Sequence, residues 1–207
     1  MNLILIGIQG SGKGTQAALL TEKYGWEQIT TGGLFRENMA NKTELGMIAK
    51  DYMEKGELVP DKYVYAIVED ALNKKNGKFI LDGFPRNIKQ AEFLLERFTI
   101  DKVVQLDLSD EKALERTTSR RICVDCKQDY NVLYKKPKQE GICDKCGGKV
   151  VTRDDDKPEA IKIRIEKFHN ETNEVIELFA EEGLLVKVDA SQKPNEIFEE
   201  IKKKINQ

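Results

Sequence analysis

Residues Gly7-Ile8-Gln9-Gly10-Ser11-Gly12-Lys13-Gly14-Thr15 stand directly behind a short apolar run, Leu3-Ile4-Leu5-Ile6, and directly ahead of a segment of helical period. A strand that passes into a helix through so glycine-rich a loop suits an anion. The glycines let successive backbone N–H groups turn toward one point, and the helix adds its positive N-terminal end there. Gly7 to Lys13 fits G-x4-G-K, with Lys13 as the mobile charge for the outer phosphates of a nucleotide. Gly14 stands where the usual pattern has a Mg²⁺-binding hydroxyl, and Thr15 supplies that hydroxyl one residue later, so metal contact from the loop itself is the weaker expectation. A dinucleotide fingerprint does not fit, because Gly10-Ser11-Gly12 reaches Thr15 where its third glycine belongs. A strand-to-helix turn without a ligand is the competing reading, and the complete pattern with its flanks argues against it.

The rest of the chain continues the same rhythm. Apolar, β-favouring runs at 2–6, 28–30, 78–81, 103–108 and 184–188 alternate with segments of helical period, which predicts a parallel sheet with helices on both faces. The last helix begins near Pro194 and repeats Ile197, Phe198, Ile201 and Ile205 along one face. A long helix is expected from about Pro158 to Glu182, striped by Ile161, Ile165, Phe168, Ile176 and Phe179. Two stretches break the rhythm: 31–59, helical and polar without a strand, and 123–151, rich in Gly, Lys, Pro and Cys without helical period. Each reads as an insertion over the C-terminal edge of the sheet, where α/β proteins bind ligands.

A chain of 207 residues can bury a full core as one domain with insertions. Its formal net charge of −2 offers no general field for nucleic acid or an anionic membrane, so phosphate affinity has to come from locally placed Arg and Lys. No apolar run approaches the ~18 residues of a membrane span, and the sequence opens on a core strand without room for a signal peptide. The expected location is cytoplasmic.

All four cysteines fall in the second insertion, as Cys123-x2-Cys126 and Cys143-x2-Cys146 with sixteen residues between the pairs. That is tetrahedral zinc spacing, and Cys146-Gly147-Gly148 suits the turn of a zinc knuckle. Four thiolates close the coordination sphere, so such a zinc is structural and activates no water. Two disulfides are the alternative, disfavoured because nothing suggests secretion. The lobe's Lys127, Lys135, Lys136, Lys138 and Lys149 read as solvated surface or, less plainly, as a contact for nucleic acid.

Arg116 and Arg120 lie four apart in what reads as one helix, with Arg121 completing the run before Cys123. Arg153 follows the cysteine lobe, Arg164 rides the next helix, and Arg36 and Arg86 flank the first insertion. Phosphoryl transfer needs donors on the equatorial oxygens, in-line positioning and exclusion of water. Arginine, permanently charged and fork-shaped, suits that task. The lone histidine, His169, reads as packing or surface, and no side chain stands out as a nucleophile.

Gly10-Ser11-Gly12-Lys13-Gly14-Thr15-Gln16, Thr31-Gly32, Asp82-Gly83-Phe84-Pro85-Arg86 and Arg120-Arg121 resemble the motifs of the adenylate kinases, over essentially the whole chain. The likeness is to the long-lid type with a four-cysteine zinc lid. It implies a P-loop nucleoside monophosphate kinase fold: a five-stranded parallel sheet, a core of 1–29, 60–119 and 157–207, an AMP-binding insertion at 30–59 and a hinged lid at 120–156. The resemblance places ATP at Gly10 to Thr15, Arg120, Asp129, Tyr130 and Gln192. AMP falls to Thr31, Arg36, Glu57, Leu58, Val59, Gly83, Phe84, Pro85, Arg86, Gln90, Arg153 and Arg164. Lys13, Arg86, Arg120, Arg153 and Arg164 would carry catalysis, Asp82 would orient hydrated Mg²⁺, and Cys123, Cys126, Cys143 and Cys146 would hold Zn²⁺. The implied reaction joins MgATP and AMP to give two ADP, in a monomer without nucleic-acid or membrane partners. A UMP/CMP or GMP kinase shares the loop and the Asp-Gly-Phe-Pro-Arg motif. A nucleotide-gated zinc-ribbon module is the reading from another class.

Two segments depart from the family pattern, and an acidic run matches its stretch at the lid's far hinge. Ile8-Gln9 replaces Ala-Pro in the phosphate loop, which changes its stiffness, because proline fixes φ. Gly33 replaces an aspartate after Thr-Gly and removes an acidic partner from a helix N-terminus. The Asp154-Asp155-Asp156 run is expected to cap the next helix, to pair with arginines, or to remain a solvated turn.

Overall fold

The computed structural model describes residues 1–74, 78–153 and 156–206. Five parallel strands, β1 (Leu3–Ile6), β2 (Glu27–Thr30), β3 (Phe79–Asp82), β4 (Lys102–Asp107) and β8 (Leu185–Asp189), form one sheet in the order β2-β3-β1-β4-β8. Leu3 lies opposite Ile80 on one side and Lys102 on the other, which puts β1 at the centre. The predicted strands are all present, within a residue of their expected ends.

The period of two along β1 explains the two cores. Ile4 and Ile6 face one side, packing with Ile29, Leu81, Val103, Val175 and Phe179. Leu3 and Leu5 face the other, with Leu20, Trp26, Val104 and Ile197, Ile201 and Ile205. Both faces of the strand are buried, as a parallel sheet covered by helices requires. On the second face lie α1 (Lys13–Tyr24) and α9 (Pro194–Ile205), whose buried isoleucines recur every four residues as the sequence predicts.

The first insertion is the helical hairpin α2 (Thr31–Ala40) and α3 (Glu44–Lys55), followed by α4 (Asp61–Asn73). Thr43 caps α3 by accepting from Gly46 N at 3.0 Å, and Gly56, at φ 77°, ends it. After β3 in the chain comes α5 (Ile88–Arg97), and after β4 comes α6 (Asp110–Thr118). The expected helix carrying both Arg116 and Arg120 ends at Thr118. Arg120 and Arg121 open a strand instead, β5 (Arg120–Cys123), so the shared helical face does not exist.

The cysteine segment also has more order than its composition suggests: β6 (Asp129–Asn131) and β7 (Val150–Val151) pair antiparallel on either side of β5. The long helix after it is interrupted. α7 (Pro158–Lys167) passes through a π turn at Phe168–Thr172 into α8 (Asn173–Glu181). Among the described residues no helix is long and apolar enough to cross a membrane.

Candidate functional site

The phosphate loop leaves β1 at the C-terminal edge of the sheet, between β3 and β4, where the chain's crossovers diverge and open α/β sheets bind ligands. Gly12 is the N-cap of α1 at φ 93°, a conformation open to glycine, and no side chain caps the helix there. The N–H groups of its first turn are left to serve an anion. Lys13 folds back over the loop, donating from Nζ to Gly7 O at 2.7 Å and Ile8 O at 3.0 Å. Loss of solvation brings its ammonium down to about 8. Asp82 opposes that shift, while the charges of Arg86, Arg164 and Arg120 reinforce it. Asp82, at the end of β3, is raised by desolvation against the pull of Lys13, Arg86, Arg36 and Arg120. A Cβ built on Gly14 would stand 4.0 Å from Asp82 Oδ2, so this carboxylate borders the side of the loop where the usual hydroxyl is missing. Ser11 is buried with its Oγ unpartnered, and Thr15 is exposed.

Three arginines gather around a second carboxylate, that of Asp156. Arg120 grips Asp156 with both arms of its fork, Nε at 2.7 Å from Oδ2 and Nη2 at 2.5 Å from Oδ1. Arg164 Nη1 lies 3.6 Å from Oδ1 and Arg153 Nε 3.9 Å from Oδ2, and the Asp156 side chain is fully buried. Of the three readings of the acidic run, arginine pairing holds for Asp156. Asp154 and Asp155 lie outside the described residues. Arg116 stands apart from this cluster, donating to Ala190 O at 2.9 Å. Arg121 likewise spends Nη1 on the backbone carbonyls of Thr118 and Arg120.

Beside the loop a pocket is lined by Thr31, Arg36, Glu57, Leu58, Val59, Gly83, Arg86, Gln90 and Arg164, among others. Gly83 makes its turn at φ 84°, and a Cβ there would fall 2.9 Å from Thr31 Oγ1. Its carbonyl accepts from Thr31 Oγ1 and from Arg86 Nε, both at 2.8 Å. Gln90 is an organiser: Oε1 accepts from Arg86 N at 2.8 Å and Nε2 donates to Asp61 Oδ1 at 2.7 Å. Phe84 and Pro85 are buried and do not line the pocket. Phe84 meets Phe93 edge to face, so its contribution is to the core beneath. Thr30 sets its Oγ1 only 2.2 Å from where a Gly33 Cβ would be, so an aspartate at 33 would require that hydroxyl to turn aside.

The four cysteine Sγ atoms lie within 4.8 Å of one another, with the nearest pairs at 3.5 Å. A tetrahedron of Zn–S bonds of about 2.3 Å has edges near 3.8 Å, so the donor set fits. All four are free thiols, which removes the two-disulfide alternative. Burial alone would push the Cys143 thiol up, but bonds from Tyr130 and from backbone N–H groups bring it to about 6. Tyr130, bonded to Cys143, is pushed up to about 12. Asp129 is exposed on β6, while Gln192 bonds Glu200 at 3.2 Å. His169 is exposed and pairs with Asp110 at 2.9 Å.

A family model described as Adenylate kinase matches residues 5–184. The chain belongs to the adenylate kinase family. It is 46% identical to an adenylate kinase of Clostridium tetani over 97% of this chain and 96% of that protein. It is 50% identical to one of Caldicellulosiruptor bescii, over 90% of both. A third, from Methanosarcina barkeri, is 44% identical over 98% of this chain and 97% of its own length. Within this adenylate kinase frame three residues escaped the sequence reading. Thr172, brought inward by the π turn, donates Oγ1 to Arg86 O at 2.9 Å. Asp61 anchors Gln90. Gln9, read only as a change in loop stiffness, donates Nε2 to Ile161 O at 3.0 Å and so joins the phosphate loop to α7. No periodicity marks these residues, because each acts through a backbone or amide partner distant in sequence.

Proposed function

We propose that this chain transfers the γ-phosphoryl of MgATP to AMP by direct in-line attack, giving two ADP. The observation that carries the reading is the gathering of Lys13, Arg36, Arg86, Arg120, Arg153 and Arg164 around Asp82 and Asp156 at the sheet edge, next to the Thr31–Gln90 pocket. Among the described residues these six basic side chains converge on one edge of the sheet, a local concentration of donors for two polyphosphates in a chain that is slightly acidic as a whole.

The phosphate loop from Gly10 to Thr15 holds the ATP phosphates through its backbone, and Lys13 swings from its carbonyls to the outer oxygens. The pocket takes AMP, with Arg36 and Arg86 on its phosphate and Thr31 and Gln90 toward the base. Arg120, Arg153 and Arg164 exchange the Asp156 carboxylate for the transferring group, whose charge spreads over its equatorial oxygens. Asp82 would hold the Mg²⁺ that accompanies ATP, which would supply neutralisation of charge on its phosphates. The 120–156 lobe closes over ATP and the 30–59 lobe over AMP, excluding water. The strand β6 meets the nucleotide through backbone at Asp129 and Tyr130, and Gln192 borders the adenine. Zn²⁺ held by the four cysteines is structural. The chain is expected to work as a cytoplasmic monomer.

The test resolves every nucleotide formed from MgATP with AMP, GMP, UMP or CMP. Two ADP from AMP, with the others slow, is the expected result. A preference for another monophosphate, or slow ATP hydrolysis alone, overturns the acceptor assignment.

A further inference from the structure

The cysteine lobe holds one polar side chain that phosphoryl transfer leaves without a task. Tyr130 is 4% exposed, and its hydroxyl sits between two partners in the second knuckle. The oxygen accepts from Asp144 N–H at 2.7 Å and lies 3.4 Å from Cys143 Sγ. A phenol has a single hydrogen. With the backbone N–H already donating to the oxygen, that hydrogen is directed to the sulfur. Cys143 is 2% exposed, so water does not compete, and Lys145 N–H reaches the same sulfur at 3.4 Å.

We propose that Tyr130 is a positioning residue of the metal site, donating its O–H to the metal-bound Cys143 thiolate and withdrawing charge from that sulfur. This rests on the reading that the four cysteines hold a metal. Tyr130 stands on β6, opposite Arg121 of β5 and beside the Arg120↔Asn131 pair. The hydrogen bond therefore ties the second knuckle to the sheet that begins with the Asp156-gripping arginine. A thiolate that shares its charge with an outer donor is a poorer nucleophile. It stays in the cluster against chelators and alkylating agents, and loss of such outer partners weakens metal sites by about tenfold or more. The same placement leaves Tyr130 only its backbone for any contact with a nucleotide.

The test compares wild type, Tyr130→Phe and protein carrying 3-fluorotyrosine at position 130, each loaded with Co²⁺ for spectroscopy and Zn²⁺ for transfer to a chromophoric chelator. In Tyr130→Phe the sulfur-to-cobalt charge-transfer band is expected to move to lower energy. Zinc transfer should quicken about tenfold, and alkylation of the cysteines by iodoacetamide should quicken with it. The fluorinated phenol, a stronger donor of nearly the same shape, should move the band the opposite way, which a packing role would not. An unchanged band in both variants, with zinc transfer within a factor of two of wild type, overturns the proposal. A wild type that takes up neither ion overturns instead the metal reading on which it rests. Should Tyr130→Phe fail to fold, the fluorotyrosine band still decides.

Discussion

The phosphate loop and the cysteine lobe are held in place by different physics. The loop sits on the end of a sheet whose two faces are both buried, so its backbone is fixed by Leu3, Ile4, Leu5 and Ile6 and by the helices against them. Each such side chain contributes roughly 1.5–3 kcal/mol when fully buried. The lobe's apolar cluster amounts to Cys123, Tyr130 and Cys143, with Cys126 and Val150 beside them. Three short strands over so little core would not hold by burial alone. One enzyme thus combines a rigid half, which presents the phosphate loop, with a cysteine half whose order is expected to depend on a metal held by its thiolates. The cysteine half carries Arg120, the arginine proposed to exchange Asp156 for the transferring group.

Metal removal separates the two halves most sharply. Chelation, or Cys146→Ser, is expected to remove a stabilisation on the order of 10 kcal/mol from the lobe, the scale of small zinc domains. The sheet should unfold near its original temperature. Hydrogen exchange should show loss of protection confined to the β5–β7 region, with stoichiometric zinc lost from the protein. Uniform loss of protection would mean that lobe and sheet form one cooperative unit. Unchanged protection would mean that the lobe stands on its own packing.

The arginines come next in size. Arg86→Ala and Arg120→Ala should each lower kcat about 100- to 1000-fold, the scale for losing one donor to a transition-state oxyanion. Far-UV dichroism should be preserved in both, and zinc content retained in Arg120→Ala. Wild-type turnover in both variants would end the reading in which these arginines stabilise the transferring group. A stability loss in Arg120→Ala alone would show how much the buried Asp156 depends on its bidentate partner.

How much of this was legible in the sequence follows the same division. The strands could be read because both faces of β1 are apolar, and the four-cysteine cluster because metal geometry demands its spacing. Arg120 was misplaced because a helical count runs on past Thr118, where nothing in the pattern marks the turn into β5. The small sheet was missed because two- to four-residue strands in a Gly- and Lys-rich segment carry no measurable period. Asp156 could be named but not chosen, since an acidic run looks the same whether solvated or buried among arginines. The π turn was invisible: its stripe from Ile161 to Phe179 reads equally well as one uninterrupted helix.

A smaller effect probes the rigid half through its charge. Burial in the fold brings the Lys13 ammonium down to about 8, against an ordinary 10.5. Between those values the unfolded chain holds a proton that the native chain has released, so the Lys13 contribution makes ligand-free stability rise with pH across that window. Polyphosphate favours the ammonium and should restore it. Above pH 8, binding of ATP is therefore expected to take up a proton, read by calorimetry in buffers of different ionisation enthalpy, and Lys13→Arg should abolish the uptake. Binding without proton uptake at pH 8.5 would show that desolvation in the empty loop is relieved by water rather than by loss of the proton.

The smallest effect tests a side-chain bond that crosses from the phosphate loop to the helix behind the lobe. Gln9 Nε2 reaches Ile161 O, one helical turn before Arg164, so the loop and an arginine of the Asp156 cluster are held through a single amide. Gln9→Ala deletes the donor and leaves Ile161 O its place in the α7 ladder, so the expected loss is about 0.5–1.5 kcal/mol. Gln9→Pro deletes it too, but narrows the unfolded chain and fixes φ in the loop, and should recover part of that loss. If the two halves are mechanically separate, both variants lose stability with kcat unchanged. If the amide sets where Arg164 stands, kcat falls in both variants by the same factor while KM for ATP stays fixed, because a misplaced arginine is felt in the transition state more than in binding. The second outcome would place the boundary between the rigid and the metal-held parts beyond α7, making that helix an extension of the phosphate loop.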